Sequence, residues 1–490
     1  MSTTKILLAS LLGALAVQAQ ECEHTKVAVL GAGVAGIRAA QELSQNGVDD
    51  FVIIEYQDRI GGRMHDVKFG QGPDGVPYKV EAGANWVQGT VTGDGPENPI
   101  SILAKKYNIT TLLTDQKSLA MFDEHGPTDF QYAIDEFGEA LEKVAVDAGS
   151  LLYNDLQDRT FRAGFRLQGW DPLKNDSSEI FTSVAENATF NYYSPDNLFV
   201  YDQRGFATII REEAKTFLHD SDPRLLLSTE VTRIEYDDNS VTVHTNNGTC
   251  VHADYAIMTF SLGVLQKKAV EFVPPLPAWK QAAISSFELG TYTKIFLQFD
   301  TPFWDNKQYL IYADPETRGY YPEFQPLDIP GALEGSGLLV ATVVNDQSYR
   351  VEAQTNEQTQ AEVMEVLRAM YGPLIPDPTH LWYKRWTQTP WAYGSYSNWP
   401  PATSLQSHQN LRANVGNLFF AGEATSQEFF GYLQGAYLEG QYTAEFVASC
   451  IGGSGNCTMS DDEQRYPVLT GVTPYNLYNW EHGWVADTLA

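Results

Sequence analysis

The run Val27-Ala28-Val29-Leu30-Gly31-Ala32-Gly33-Val34-Ala35-Gly36 constrains this chain more than any other stretch. Four apolar residues read as a buried parallel strand, and Gly31, Gly33 and Gly36 stand at the G-x-G-x-x-G spacing that turns such a strand into a helix. The helix N-terminus then aims backbone N–H groups at a pyrophosphate. Phe51-Val52-Ile53-Ile54-Glu55 reads as the second strand of a βαβ unit, and it ends in the acid expected, about twenty residues past the glycines, to bond an adenosine ribose. The hexapeptide alone is a weak signal, since glycine turns of this kind also occur without a ligand. The strand before it, the helix after it and the acid beyond raise it to a dinucleotide site.

A second pair, Gly61-Gly62, followed by Arg63, lies just beyond that acid, where a backbone must again pass close to a phosphate and a cation is useful beside it. A nicotinamide dehydrogenase has no need of this pair. Together with Gly83-Ala84-Asn85-Trp86, Tyr292-Thr293-Lys294, Gly422-Glu423-Ala424-Thr425-Ser426 and Gly431-Tyr432-Leu433-Gln434-Gly435-Ala436-Tyr437, it makes the chain resemble the flavin amine oxidase family. Within that family the resemblance is greatest to the extracellular polyamine oxidases.

The resemblance implies an α/β fold: a Rossmann-like FAD-binding domain interleaved with a discontinuous α+β substrate domain. The expected FAD segments are residues 23–105, 200–275 and 400–455, and the substrate segments 106–199 and 276–399, with 456–490 a tail packed on the body. Residues 1–19 read as a signal peptide, with Lys5 before an apolar run at 6–17 and small residues at Val17 and Ala19. That run is too short to span a bilayer. A secreted, extracellular protein is expected.

Of 490 residues, 62 are acidic and 32 basic, a formal charge of −30. That balance argues against nucleic acid or an anionic membrane as a partner and favours cationic ligands, although an acidic surface also simply keeps a secreted protein soluble. Sequons at Asn108, Asn175, Asn187, Asn247 and Asn456 suit the secretory route. The four cysteines permit two disulfides in an oxidising compartment. Of three possible pairings, the short Gly-rich loop favours Cys450 with Cys457, which leaves Cys22 for Cys250.

Further along, Asn98-Pro99 opens a helix. A helical stripe of Phe130, Ala133, Ile134, Phe137, Leu141 and Val144, behind Thr128 or Asp129 as N-cap, reads as core-facing with no part in chemistry. Asp237-Asp238-Asn239 and Asn246-Asn247-Gly248 separate β segments, the second as a hairpin turn. Thr355-x-x-Gln358 is a capping box whose helix stops at Gly372-Pro373.

An amine oxidase must hold the carbon beside a nitrogen against its cofactor and keep water away, and aromatic walls do both. By resemblance Tyr396 and Tyr432 flank the substrate before the flavin, and Trp86 lies near it. In the strand around Lys294, period-2 alternation puts Tyr292, Lys294 and Phe296 on one face. A lysine in an apolar strand usually snorkels to water. The resemblance instead implies a buried charge, bonded through a water to flavin N5, that helps reduced flavin meet oxygen. It also implies that Val231 passes the adenine and that Glu423 holds the ribityl or pyrophosphate region.

Gln88 departs from the family pattern, which has a glutamate two residues after the tryptophan. A carboxylate there would hold a cationic nitrogen; an amide can only hydrogen-bond it. Glu186 is a candidate compensating acid. No cysteine occurs in residues 426–437, where covalent members attach the flavin, so the FAD is expected to be non-covalent. No metal-spaced histidine cluster, G-x-S-x-G motif or cysteine nucleophile competes.

The expected reaction is oxidation of a C–N bond of a spermine- or spermidine-like amine by hydride transfer to flavin N5, with O2 reduced to H2O2. Its rivals are the same fold acting on another amine, and a secreted FAD-bearing protein without turnover. An amino-acid oxidase is disfavoured because no arginine is placed to clamp a carboxylate. A chromatin demethylase is disfavoured by the signal peptide and the acidic charge.

Overall fold

A computed structural model describes residues 22–91, 96–153, 158–171, 193, 194, 196–401, 403–453 and 469. The strand Glu23–Leu30 lies in the middle of a large sheet, paired in parallel with Phe51–Ile54 on one side and Cys250–Met258 on the other. The short strands Leu225–Leu226 and Leu418–Phe420 extend the parallel part. Val231–Tyr236, Val241–Thr245 and Cys250–Met258 form an antiparallel meander across the two expected turns. Val27, Val29 and Ile53 pack on the helices Val34–Gln45 and Leu433–Ile451, while Ala28, Leu30, Val52 and Ile54 pack on the opposite layer. Each fully buried aliphatic side chain of this kind contributes roughly 1.5–3 kcal/mol. The sheet is therefore covered on both faces, as parallel strands require.

A second sheet runs in the order His380–Tyr383, Tyr292–Gln298, Leu338–Val344, Glu323–Pro326, Tyr309–Tyr312, Leu119–Asp123, Gly126–Pro127. Its two faces do different things. Ile295, Leu297, Ala341, Phe324 and Leu310 pack on the helix Asn356–Tyr371, and Phe296 and Val340 on the other face meet Phe69, Val80 and Phe199. Lys294 belongs to that second face. The helix Asn356–Tyr371 begins at the expected capping box, with the Thr355 side chain accepting from Gln358 N and the Gln358 side chain accepting from Thr355 N. A smaller sheet joins Trp86–Gln88, Asn197–Val200 and Thr111–Leu113.

Asn98 caps the helix Pro99–Lys106, with proline at its first position. The helix expected behind Thr128 or Asp129 is Gln131–Tyr153, and Asp129 Oδ1 accepts from Gln131 N. Residues 119–123 and 126–127, ahead of that helix, are strands paired with each other, the first also with Tyr309–Tyr312. Cys22 and Cys250 form a disulfide, and Cys450 is also disulfide-bonded. Asn108 and Asn247 lie among the described residues, Asn247 exposed in its turn. Asn175, Asn187, Asn456, Cys457, Glu186 and nearly all of the tail lie outside the described residues. Among the described residues no helix is long and apolar enough to cross a membrane, and no cluster of His, Cys, Asp or Glu could hold a metal.

Candidate active site

A cavity of about 610 Å³ runs from the first glycine turn to the second sheet. Gly31, Gly33, Glu55, Gly62 and Val231 line one end, and Trp86, Gln88, Tyr292, Lys294, Tyr396 and Tyr432 the other, with the paired Arg63 and Glu423 along its length. Gly36 lies behind the wall. A Cβ there would come 1.9 Å from Gly31 O, so only glycine lets this helix sit so close to its strand.

The two glycine turns meet face to face: a Cβ on Gly62 would lie 3.2 Å from Gly33 Cα. Gly31 and Gly62 also hold φ of 114° and 56°, which side chains disfavour. The result is a bare backbone cradle at a helix N-terminus, the shape a pyrophosphate needs. Glu55 stands beside it. Its Oε2 accepts from Ala32 N at 2.6 Å and its Oε1 from Gln57 N at 2.8 Å. Burial pushes its carboxyl up and these N–H groups pull it back, while the remaining lone pairs are left for ribose hydroxyls. The chain thus fits an extended dinucleotide.

Glu423 borders the cavity and ties the parts around it together. Its carboxylate accepts from Arg63 Nη1 at 2.7 Å, from Gly431 N at 2.8 Å and from the Ser397 hydroxyl. The same Arg63 nitrogen donates to Ser395 O at 3.0 Å. The carboxylate thus holds Arg63 and the Tyr396 and Tyr432 segments at the cavity wall.

Tyr396 is fixed by packing on glycines. Its strand, Tyr396–Asn398, pairs with Glu288–Gly290, setting Tyr396 opposite Gly290. A Cβ on Gly290 would lie 2.8 Å from the Tyr396 ring, and one on Gly431 would lie 3.4 Å from the same ring. Tyr432 follows at the N-terminus of Leu433–Ile451. Both rings border the same cavity.

Lys294 is buried, and its three protons have three acceptors: Glu81 O at 2.9 Å, Gly83 O at 2.7 Å and Asn85 Oδ1 at 2.8 Å. Its ammonium also lies 5.2 Å from the Trp86 ring centroid. Burial lowers its pKa and the Glu81 carboxyl partly restores it. Lys294 thus presents a buried charge at the cavity.

Three features escaped the sequence reading. Glu81 is one: its Oε1 accepts from Phe206 N at 2.7 Å, its Oε2 is buried without a partner, and burial raises its pKa. A carboxylate ending the strand Tyr78–Glu81 just before Gly83 was the available signal. Phe137 and Leu141 are a second, and a correction, since this stripe faces the cavity as well as the core. Trp386 and Trp391 are the third; they wall the cavity around His65, whose pKa is lowered to about 3 by burial and by Arg59 and Lys384 nearby.

A family model described as flavin containing amine oxidoreductase matches residues 34–448. Polyamine oxidase 1 of Zea mays is 35% identical over 463 residues, which cover 87% of this chain and 90% of that protein. Polyamine oxidase 7 of Oryza sativa subsp. japonica is 35% identical over 455 residues, covering 85% and 93%. A solved structure of putrescine oxidase bound to putrescine shares the fold, with a TM-score of 0.69 at 18% identity over 88% of this chain and 100% of that one. With a dinucleotide cradle at one end of its cavity and an aromatic wall at the other, the chain belongs to the flavin-containing amine oxidoreductases and is an FAD-dependent amine oxidase.

Proposed function

We propose that this chain is a secreted oxidase of aliphatic polyamines, acting on a C–N bond of spermine- or spermidine-like substrates with O2 as acceptor. The observation that carries the reading is the cavity that Tyr396, Tyr432 and Trp86 line together with the buried Lys294. When bound, FAD supplies the two-electron oxidation of the amine to an imine and the return of those electrons to O2 as H2O2. It is held without a covalent link, since residues 426–437 contain no cysteine.

The chain's own residues bind, orient and exclude water. Tyr396 and Tyr432 confine the reacting carbon, and their faces favour a cationic nitrogen elsewhere in the chain. Lys294 supplies a fixed positive charge where negative charge develops as oxygen is reduced. No residue need act as a nucleophile, because water hydrolyses the released imine to a carbonyl compound and an amine. Secretion is supported by the apolar leader and by Cys22–Cys250, a bond at home in an oxidising compartment.

One observation favours a second reading, oxidation of a different amine: Gln88, exposed and at the cavity, brings no charge to it. A peroxide-release screen of purified protein over polyamines, monoamines and amino acids decides between them. Turnover of spermidine or spermine well above that of monoamines supports the polyamine reading; turnover of monoamines alone overturns it.

A further inference from the structure

The groups that hold Lys294 are held in turn by a carboxylate that the cavity does not meet. Lys294 donates to Glu81 O and Gly83 O, and the indole N–H of Trp386 donates to the carbonyl between them, Ala82 O, at 3.2 Å. Lys294 and Trp386 thus grip residues 81–83 from two different elements, the strand Tyr292–Gln298 and the short 3-10 turn Trp386–Gln388, and both side chains line the cavity. Where the ammonium sits depends on how that strand and that turn are set against each other.

Glu352 sets them. It is the last residue of the helix Asn345–Glu352, is buried, and does not line the cavity. Its Oε1 accepts from the Thr293 hydroxyl at 2.7 Å, and its Oε2 accepts from Thr387 N at 2.8 Å and from the Thr387 hydroxyl at 2.5 Å. Thr293 precedes Lys294 and points to the opposite face of the sheet, where its hydroxyl also meets that of Ser348. Thr387 follows Trp386. The Glu352 main-chain oxygen accepts from the same region, from Arg385 Nε at 3.1 Å and Gln388 Nε2 at 2.6 Å. The connections close on themselves: from Glu352 through Thr293 to Lys294, across the carbonyls of residues 81–83 to Trp386, and through Thr387 back to Glu352.

A carboxylate in this place works against its own helix. Burial penalises the charge, and the last turn of a helix already carries partial negative charge. The donors offset that cost only while Thr293 and Thr387 stay within hydrogen-bond reach, so a slip of either segment leaves a buried charge under-bonded. An ammonium that acts by preorganised charge needs such rigidity, since a displacement of about 1 Å near reacting atoms can cost roughly 100-fold in rate.

We propose that Glu352 is a positioning residue for the oxygen half of the reaction: by clamping Thr293 to Thr387 it fixes the Lys294 ammonium at the cavity without touching cofactor or substrate. This rests on the oxygen role given to Lys294 above.

The test follows reoxidation of the dithionite-reduced holoenzyme by O2 in stopped flow, which requires no choice of amine. Glu352→Ala, Glu352→Gln and Thr293→Val are compared, each alone and beside Lys294→Met, with flavin content and melting temperature as controls for folding. Glu352→Ala should slow reoxidation at least about tenfold. Glu352→Gln should recover most of the rate, because its amide oxygen still accepts from Thr387 and its NH2 group can donate to the Thr293 hydroxyl oxygen. Thr293→Val cuts only the link to the Lys294 strand; it should slow reoxidation in the same direction, and it carries the test if Glu352→Ala does not fold. Beside Lys294→Met none of these changes should slow reoxidation further, since effects that act through one group do not add. Equal slowing in both backgrounds, or wild-type rates in Glu352→Ala and Thr293→Val, would overturn the proposal while leaving Lys294 in place. If Lys294→Met alone reoxidises like the wild type, the oxygen role of Lys294 falls, and the positioning role of Glu352 falls with it.

Discussion

Lys294 donates to the main-chain oxygen of Glu81 at 2.9 Å, and the Glu81 side chain, buried beside it, is the charged group that pulls the lysine's pKa back up. The lysine reaches this position because its strand, Tyr292–Gln298, crosses the segment running from Glu81 to Trp86. A charge that would otherwise leave for water is held by two carbonyls, an amide oxygen and an indole face.

The oxygen reaction should therefore depend on pH through Lys294. Its pKa is lowered to about 7, chiefly by burial. The ammonium is present below that value and is lost as pH rises through it, so reoxidation of reduced flavin by O2 should slow from about pH 6 to 9. Lys294→Met should be slow throughout. Glu81→Gln removes the anion that favours the ammonium and should move the fall to lower pH. Stopped-flow reoxidation across this range measures all three, and a flat wild-type profile would remove Lys294 from the oxygen step.

Glu423 joins Arg63 to the segments carrying Tyr396 and Tyr432, and its carboxylate is buried. Replacing it with glutamine leaves Arg63 without its counter-charge, and removing one partner of a buried pair costs roughly 3–5 kcal/mol. Glu423→Gln should lower the melting temperature and weaken FAD retention together. Flavin content per polypeptide after gel filtration is the measurement. Full retention at the wild-type melting temperature would show that the clamp is unnecessary.

Gly290 bears directly on Tyr396. A methyl group at position 290 would come within 2.8 Å of the ring, so Gly290→Ala must push the phenol aside. A misplacement of about 1 Å near reacting atoms can cost roughly 100-fold in rate. The variant should fold and bind flavin yet lose one to two orders of magnitude in kcat/KM. Steady-state kinetics beside a flavin spectrum tests this; unchanged kinetics would place Tyr396 outside the substrate's path.

Much of this was legible in the sequence because the responsible residues act locally. The glycines of the cradle are demanded by backbone approach, the Thr355 capping box by its own helix, and the Lys294 face by alternation along one strand. Glu81 was not legible. It gains its importance only when the strand carrying Lys294 is set beside it. Phe137 and Leu141 show the same limit, since a helical stripe reveals that a face is covered but not that part of it borders a cavity.

The flavin itself should come free on acid precipitation. The turn before Leu433–Ile451 offers tyrosine, phenylalanine and glycine where a thioether would require cysteine. Precipitation with trichloroacetic acid should leave a colourless pellet and a yellow supernatant. A yellow pellet would mean that another side chain forms the link.

Gln88 gives the sharpest test of how the cavity reads charge. It follows Trp86 by two residues on the same strand, so both side chains project to one side, and both line the cavity. A charge-assisted hydrogen bond is worth about 1.5–3 kcal/mol against roughly 0.5–1.5 for a neutral one. Gln88→Glu should therefore tighten spermidine binding by about one to two kcal/mol, close to tenfold, with butylamine much less affected. Equal effects on spermidine and butylamine would mean that position 88 does not meet the second nitrogen.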